Sequence, residues 1–205
     1  IGPETSGWFK NEIKELDQLR GMKMRFFGLG ARVMQKIGVS TQLLAGGDIF
    51  PALEKGVIDA TEFSMPAMDI KYGFYQIAKN NYFPGWHQQV SVSQLLTNKK
   101  KFDGLSDANK ALLEVGCGDS IHHTYAETEY VNPFAMVEMG EKYGVITRRW
   151  RDDQLAVFEK AWNEVVAEDS KKDPVFKEVN DSYAAFRKAY AKWGGAQALQ
   201  PTYLK

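Results

Sequence analysis

The chain has 205 residues, 44% of them hydrophobic and 25% charged, an ordinary globular composition with length enough for one domain or two small lobes. Its 26 basic and 26 acidic residues cancel, so the chain as a whole has no electrostatic pull toward nucleic acid or anionic lipid. No apolar run approaches the ~20 residues that span a bilayer, and the single cysteine, Cys117, excludes an internal disulfide.

Ile1 to Phe9, IGPETSGWF, reads as a loop because Gly, Pro and small polar residues dominate it. Ile13, Leu16 and Leu19 suit a short surface helix or turn that ends at Gly21. Met22 to Phe27 then alternates between two faces and predicts a strand. Gly28 and Gly30 break it, and Ala31 to Ile37 is a short helix closed by Gly38. Thr41 to Leu44 is a second strand. Asp48 is the expected N-cap of a two-turn helix that carries Ile49 and Leu53 and stops at Gly56. Val57 to Phe63 is a third strand. Strands and helices alternating this closely predict a parallel sheet with covering helices. Ligands on such sheets collect at the carboxyl ends of strands, and Arg25 and Glu62 both lie near such ends.

After a turn at Pro66, Asp69 to Lys79 is expected to be helical, and the aromatic segment NNYFPGWH follows from Asn80 to His87. Gln88 to Leu96 alternates Val90, Val92 and Leu95-Leu96, which predicts a strand. Ser106 caps a helix on which Leu113, Cys117, Ile121 and Tyr125 form an apolar stripe, so Cys117 is expected in the core. Asn132-Pro133 restarts that helix, Gly144 ends it, and Val145 to Trp150 is the last strand. Asp152 caps a helix with Leu155, Phe158, Trp162, Val165 and Val166. Asp173-Pro174 opens another with Val175, Val179, Tyr183, Phe186, Tyr190 and Trp193 along one side, stopped by Gly194-Gly195.

The residues that could carry chemistry are few. Arg25, among apolar neighbours at a strand end, is placed either to clamp a carboxylate through two parallel hydrogen bonds or to serve as an ordinary strand arginine. Glu62 would ligate a hard cation, meet a cationic substrate, or pair with a nearby Lys or Arg. Glu4 and Gln88 carry no signal by themselves. Gly28-Leu29-Gly30 superficially matches a dinucleotide loop, but the third glycine and the later acidic residue are missing. His122 and His123 are adjacent on a helix and point apart, and with His87 far away in sequence no zinc pattern exists. Tyr82, Phe83 and Trp86 either line a cleft or fill the core. With no G-x-S-x-G, P-loop, C-x-x-C or H-E-x-x-H, catalysis has no footing and no enzyme is expected.

A set of longer motifs goes further. SGWF (Ser6 to Phe9), KMRFFGLGARV (Lys23 to Val33), AGGDIFPALEKGVIDATE (Ala45 to Glu62), KYGFYQIAKNNYFPGW (Lys71 to Trp86) and EYVNPFAM (Glu129 to Met136) stand in order and correctly spaced. On these the chain resembles the solute-binding proteins of tripartite ATP-independent periplasmic (TRAP) transporters. It is most similar to the branch that binds 2-oxo acids, lactate and related small carboxylates, often labelled mannitol or chloroaromatic transport. The resemblance runs from Gly2 to about Trp193.

The resemblance implies a periplasmic α/β receptor of the two-lobed binding-protein fold, with a mixed sheet and a long spine helix, that closes on one organic anion. Arg25 would pair with the substrate carboxylate, with Glu62, Phe63 and Trp86 beside it. A sodium or calcium ion would be held by Glu4, Glu62, Phe63 and Gln88. Relatives carry a glutamine where this chain has Glu4, an acidic residue where it has Gln88, and tryptophan where it has Phe63, so total charge around the cation is kept while the pocket changes shape. The resemblance also implies a secretory signal in the precursor and a first lobe incomplete in this chain. Residues 1–88 would form the gripping second lobe, and residues 89–205 the strands returning to the first lobe plus the spine and terminal helices. The partners implied are a small carboxylate and the membrane permease. The apolar stripes of the terminal helices suit a homodimer through the last helix or core packing equally. The alternative function is a non-catalytic carboxylate sensor or interaction domain with the same fold.

Overall fold

A computed structural model describes residues 1–197 and divides the chain into two units, the first running from Ile1 to Phe158 and the second beginning at Glu159. The first is built on one sheet whose strands are β1 (Gly7–Phe9), β2 (Lys23–Arg25), β3 (Ser40–Gln42), β4 (Ala60–Thr61), β5 (Asn80–Phe83) and β6 (Ile146–Arg149), side by side in the order β3-β2-β4-β1-β5-β6. β2 pairs in parallel with β3 and β4, and β5 in parallel with β6. β1 runs antiparallel to both β4 and β5, which makes the sheet mixed.

The segment read from sequence as a loop therefore supplies a central strand. Successive strand residues face opposite sides, and here both sides are covered. Trp8 packs with Ile49, Leu53, Ile58, Phe74 and Met139 on one face. Phe9 meets the Tyr82 and Trp150 rings edge-on on the other. A short strand buried on both faces shows no polar-apolar alternation, which is why its sequence hides it. Gly7 is required at its start: φ is +130°, and a Cβ there would lie 2.7 Å from the Thr61 carbonyl oxygen.

The helices of this unit are α1 (Gly28–Lys36), α2 (Gly46–Glu54), α3 (Pro66–Tyr72), α4 (Lys99–Asp103) and α5 (Asp107–Tyr143), followed by the first turns of α6 (Asp152–Lys172). α2 begins at Gly46, two residues before the expected cap, so Asp48 lies in its first turn, where its charge faces the positive end of the helix dipole. The helix expected from Asp69 to Lys79 instead starts at Pro66 and stops at Gly73 (φ +74°), and a 3-10 turn over Phe74–Gln76 follows.

Three further expectations are corrected. Gln88 to Leu96 is not a strand; Val90, Val92, Leu95 and Leu96 are all exposed, and alternation without burial has nothing to hold it in a sheet. Residues 1 and 91 instead clasp each other, with the Ile1 amine donating to the Ser91 carbonyl at 3.0 Å and the Ser91 amide to the Ile1 carbonyl at 3.1 Å. α5 is continuous through Pro133 rather than restarted there, and Asn132 turns its side-chain oxygen to the Ala67 amide at the start of α3, 2.9 Å away. Its first half buries no stripe: Cys117, Ile121 and Tyr125 are exposed, so Cys117 is not a core residue.

The second unit carries the rest of α6 and α7 (Pro174–Gln197), which runs through Gly194-Gly195 instead of stopping there; its Tyr183, Phe186, Tyr190 and Trp193 are exposed. Among the described residues no helix is long and apolar enough to cross a membrane.

Candidate functional site

β2 and β4 end side by side, with Arg25 registered opposite Thr61, so Glu62 emerges one residue past the sheet next to Arg25. The Glu62 amide donates to the Arg25 carbonyl at 2.9 Å. The Arg25 guanidinium returns the contact twice, its Nη1 donating to the Glu62 carbonyl at 2.6 Å and to Glu62 Oε2 at 2.8 Å. Its Nε donates to the Leu44 carbonyl at 3.3 Å, and its central carbon lies 5.3 Å from the centre of the Phe63 ring. Arg25 is 7% exposed and Glu62 2%, which rules out a solvated strand arginine and makes this a desolvated, hydrogen-bonded pair.

Glu4 enters from the opposite direction, along the extension of β1. The amides of Glu4, Thr5 and Ser6 donate to the carbonyls of Gln88 (3.1 Å), Ser64 (2.8 Å) and Tyr82 (2.8 Å). The Ser6 hydroxyl donates to the Pro84 carbonyl. Gly85 permits this approach, since a Cβ on it would stand 1.9 Å from the Glu4 carbonyl oxygen. Two donors meet the Glu4 carboxyl: Gln88 Nε2 at 2.7 Å and the Ser91 hydroxyl at 3.3 Å, both on Oε1. Burial, reinforced by the Glu62 carboxylate beside it, pushes the Glu4 pKa up to about 7 against the pull of Ser91 and Arg25.

His87 completes the cluster. Its side chain is 5% exposed, and Nε2 lies 3.5 Å from Glu62 Oε1, too far for a hydrogen bond. Among the described residues neither ring nitrogen has a hydrogen-bond partner. The ring is held edge-on against Phe26, with centroids 4.8 Å apart, and against Trp86. One ligand atom from each of Glu4, Glu62 and His87 lies within 4.8 Å of the others. Two buried carboxyl groups facing each other and an imidazole with nothing to bond form a donor set that fits a cation. Beneath them Asp69 is fully buried and accepts the Trp8 indole N–H at 2.7 Å; burial pushes its pKa up to about 8.

A hollow of about 240 Å³ opens on this cluster, lined by Glu4, Arg25, Phe27, Glu62, Phe63 and Gln88. Five of these were expected from sequence. Trp86, also expected beside the ligand, is not among the lining residues; it stacks on Phe158 at 5.0 Å and tilts against Phe26. Sequence reasoning missed Phe27 and His87. Proximity along the chain could not reveal His87, because Glu4, Glu62 and His87 come from three separate segments that only the sheet brings together.

A family profile, bacterial extracellular solute-binding protein family 7, matches residues 3–173. A monocarboxylate 2-oxoacid-binding periplasmic protein of Nostoc is 30% identical over 198 residues, spanning 97% of this chain and 54% of that protein. Among solved structures, a TRAP transporter solute-binding protein from Bordetella bronchiseptica, with copurified calcium and picolinate in one of its sites, superposes with a TM-score of 0.88 at 31% identity. The match covers 96% of this chain and 58% of that one. Another from Colwellia psychrerythraea, with bound calcium and pyruvate, gives 0.86 at 26% identity over 96% of this chain and 60% of its own. One from Pseudoalteromonas atlantica, with sodium and pyruvate, gives 0.86 at 25% with the same coverage. The chain thus spans little more than half the length of these relatives. With the profile covering most of its residues and the fold matched throughout, the chain belongs to the family 7 bacterial extracellular solute-binding proteins, the solute-binding subunits of TRAP transporters.

Proposed function

We propose that this chain is the gripping portion of an extracytoplasmic receptor that captures a small 2-oxo or 2-hydroxy monocarboxylate together with a bridging cation and hands it to the membrane permease. The observation that carries this is the buried Arg25 guanidinium at the wall of a hollow whose other polar walls are the carboxyl groups of Glu4 and Glu62 and the amide of Gln88. An organic anion meets Arg25, and a cation between that anion and the two glutamates offsets the negative charge gathered there. A hollow of about 240 Å³ has room for a small organic anion. Relatives that bind pyruvate with calcium or sodium, and picolinate with calcium, support the same reading.

No turnover is expected, because the site pairs no nucleophile with a base. The six-stranded sheet would be the gripping lobe, extended past residue 88 by β6, and the exposed aromatic face of α7 is where subunit pairing would occur. Binding by hinge closure follows, since burying the anion against Arg25 favours the closed state.

Calorimetry with pyruvate, 2-oxobutyrate and lactate, with calcium or sodium present and then chelated, tests the proposal. Saturable binding is expected, and Arg25→Ala should weaken it about tenfold to a hundredfold, the equivalent of a charge-assisted hydrogen bond of roughly 1.5–3 kcal/mol. Silence of the full-length protein across all three acids would refute it.

A further inference from the structure

We propose that this site selects a borderline divalent transition cation, of the zinc or cobalt kind, held by the Glu4 and Glu62 carboxylates and His87 Nε2. This rests on the reading of the hollow as a cation-bridged anion site, and it concerns which cation this chain takes.

Three features of the geometry point the same way. The first is His87. A buried imidazole with both nitrogens unpartnered is a cost that native structures rarely leave standing, and Nε2 is aimed at the carboxyl cluster, 3.5 Å from Glu62 Oε1. Calcium and magnesium take oxygen ligands, whereas imidazole suits zinc, cobalt, nickel and iron. The second is how Arg25 uses Glu62. Its Nη1 already occupies Oε2, so Glu62 has only Oε1 to give. Calcium is commonly served by bidentate carboxylates within a shell of six to eight oxygens, and Glu62 can offer it one oxygen and not two. A four-coordinate cation needs far less: two carboxylate oxygens, one nitrogen, and a fourth place open to the hollow, where an oxygen of the bound organic acid would sit.

The third is spacing. The candidate atoms lie within 4.8 Å of one another. Ligands around tetrahedral zinc stand about 3.4 Å apart, as bond lengths of about 2.0–2.2 Å dictate. The hydrogen bonds of Gln88 and Ser91 to Glu4 Oε1 hold that carboxyl beside the other two ligand atoms. The Phe26 and Trp86 rings pack edge-on against the imidazole and limit its rotation.

The test uses the full-length protein stripped with a chelator and titrated with cobalt chloride. A visible-region absorption band of a low-coordinate cobalt site is expected, saturating at one equivalent, abolished by one equivalent of zinc sulfate and untouched by a hundredfold excess of calcium chloride. His87→Gln should weaken zinc binding by at least tenfold and change calcium binding by less than that. Absence of the cobalt band, displacement of zinc by an equal concentration of calcium, or equal zinc affinity in His87→Gln would each overturn the proposal. The cobalt spectrum of the unsubstituted protein decides the matter even if the variant fails to fold. Pyruvate binding that needs calcium, with no cobalt band, would sink the transition-cation assignment and leave the receptor standing. A cobalt band without binding of any carboxylate would do the reverse.

Discussion

Replacing Arg25 by methionine separates what the guanidinium does for the fold from what it does for the ligand. The substitution keeps most of the side-chain volume and removes the donors that reach the Glu62 carbonyl, Glu62 Oε2 and the Leu44 carbonyl. It leaves a carboxylate that is 2% exposed facing a second carboxyl, that of Glu4, without its cation. Removing one partner of a buried ion pair costs about 3–5 kcal/mol, mostly through the uncompensated charge left behind. For a chain of this size each kcal/mol lowers the melting temperature by about 2–4 °C, so Arg25→Met should melt roughly 6–20 °C early. Adding Glu62→Gln removes the stranded charge, and the double variant should recover more than half of that loss, because a buried pair replaced on both sides is often near neutral. Both variants should bind pyruvate at least tenfold more weakly than the parent. The assay is thermal unfolding of the four members of the cycle by far-ultraviolet circular dichroism, with calorimetry alongside. A single variant that melts within 2 °C of the parent, or a double variant no more stable than the single, would refute the energetic role given to this pair.

Other outcomes follow from neighbouring residues. With the Glu4 pKa near 7, cation binding must first remove a proton there, so zinc and calcium affinities should both rise about tenfold between pH 6 and pH 8, and Glu4→Gln should flatten that rise. Asp69 holds its proton in the fold up to about pH 8 but loses it near 3.8 when unfolded. The folded state therefore binds more protons across that window and stability falls as pH rises through it; Asp69→Asn, which can still accept the Trp8 N–H, should show a shallower decline in urea denaturation from pH 5 to 8. Gly85→Ala places a Cβ 1.9 Å from the Glu4 carbonyl oxygen, and the displaced segment should cost about 1–3 kcal/mol in stability and at least tenfold in cation affinity, read by denaturation and calorimetry.

The parts of the molecule legible in the sequence are those where local chemistry and tertiary role agree. The alternation of β2, α1, β3, α2 and β4 follows from glycine punctuation and apolar periodicity, and it put Arg25 and Glu62 at adjacent strand ends where the structure has them. Resemblance to the family, and not any local pattern, brought Glu4 and Gln88 to the same place. β1 escaped because Trp8 and Phe9 are buried on both faces and the flanking residues look like loop. The segment from Gln88 to Leu96 misled for the opposite reason: it alternates as a strand does, with no sheet edge to receive it. His87 was invisible as a member of this cluster because the carboxyl groups it meets are distant along the chain, and a search for closely spaced histidines looks in the wrong place. The helical stripe through Cys117 failed because periodicity marks one side of a helix and says nothing about what covers it.

The antiparallel setting of β1 ties the assembly of the proposed site to the correctness of the fold. A slip of one residue against β4 and β5 would exchange Trp8 and Phe9 between opposite sides of the sheet and carry Glu4 about 3.4 Å along the strand direction, away from Glu62 and His87. Only the native alignment brings all three donors together. On the proposed reading of the site, metal uptake would therefore also report correct register, and misregistered molecules would fail to load.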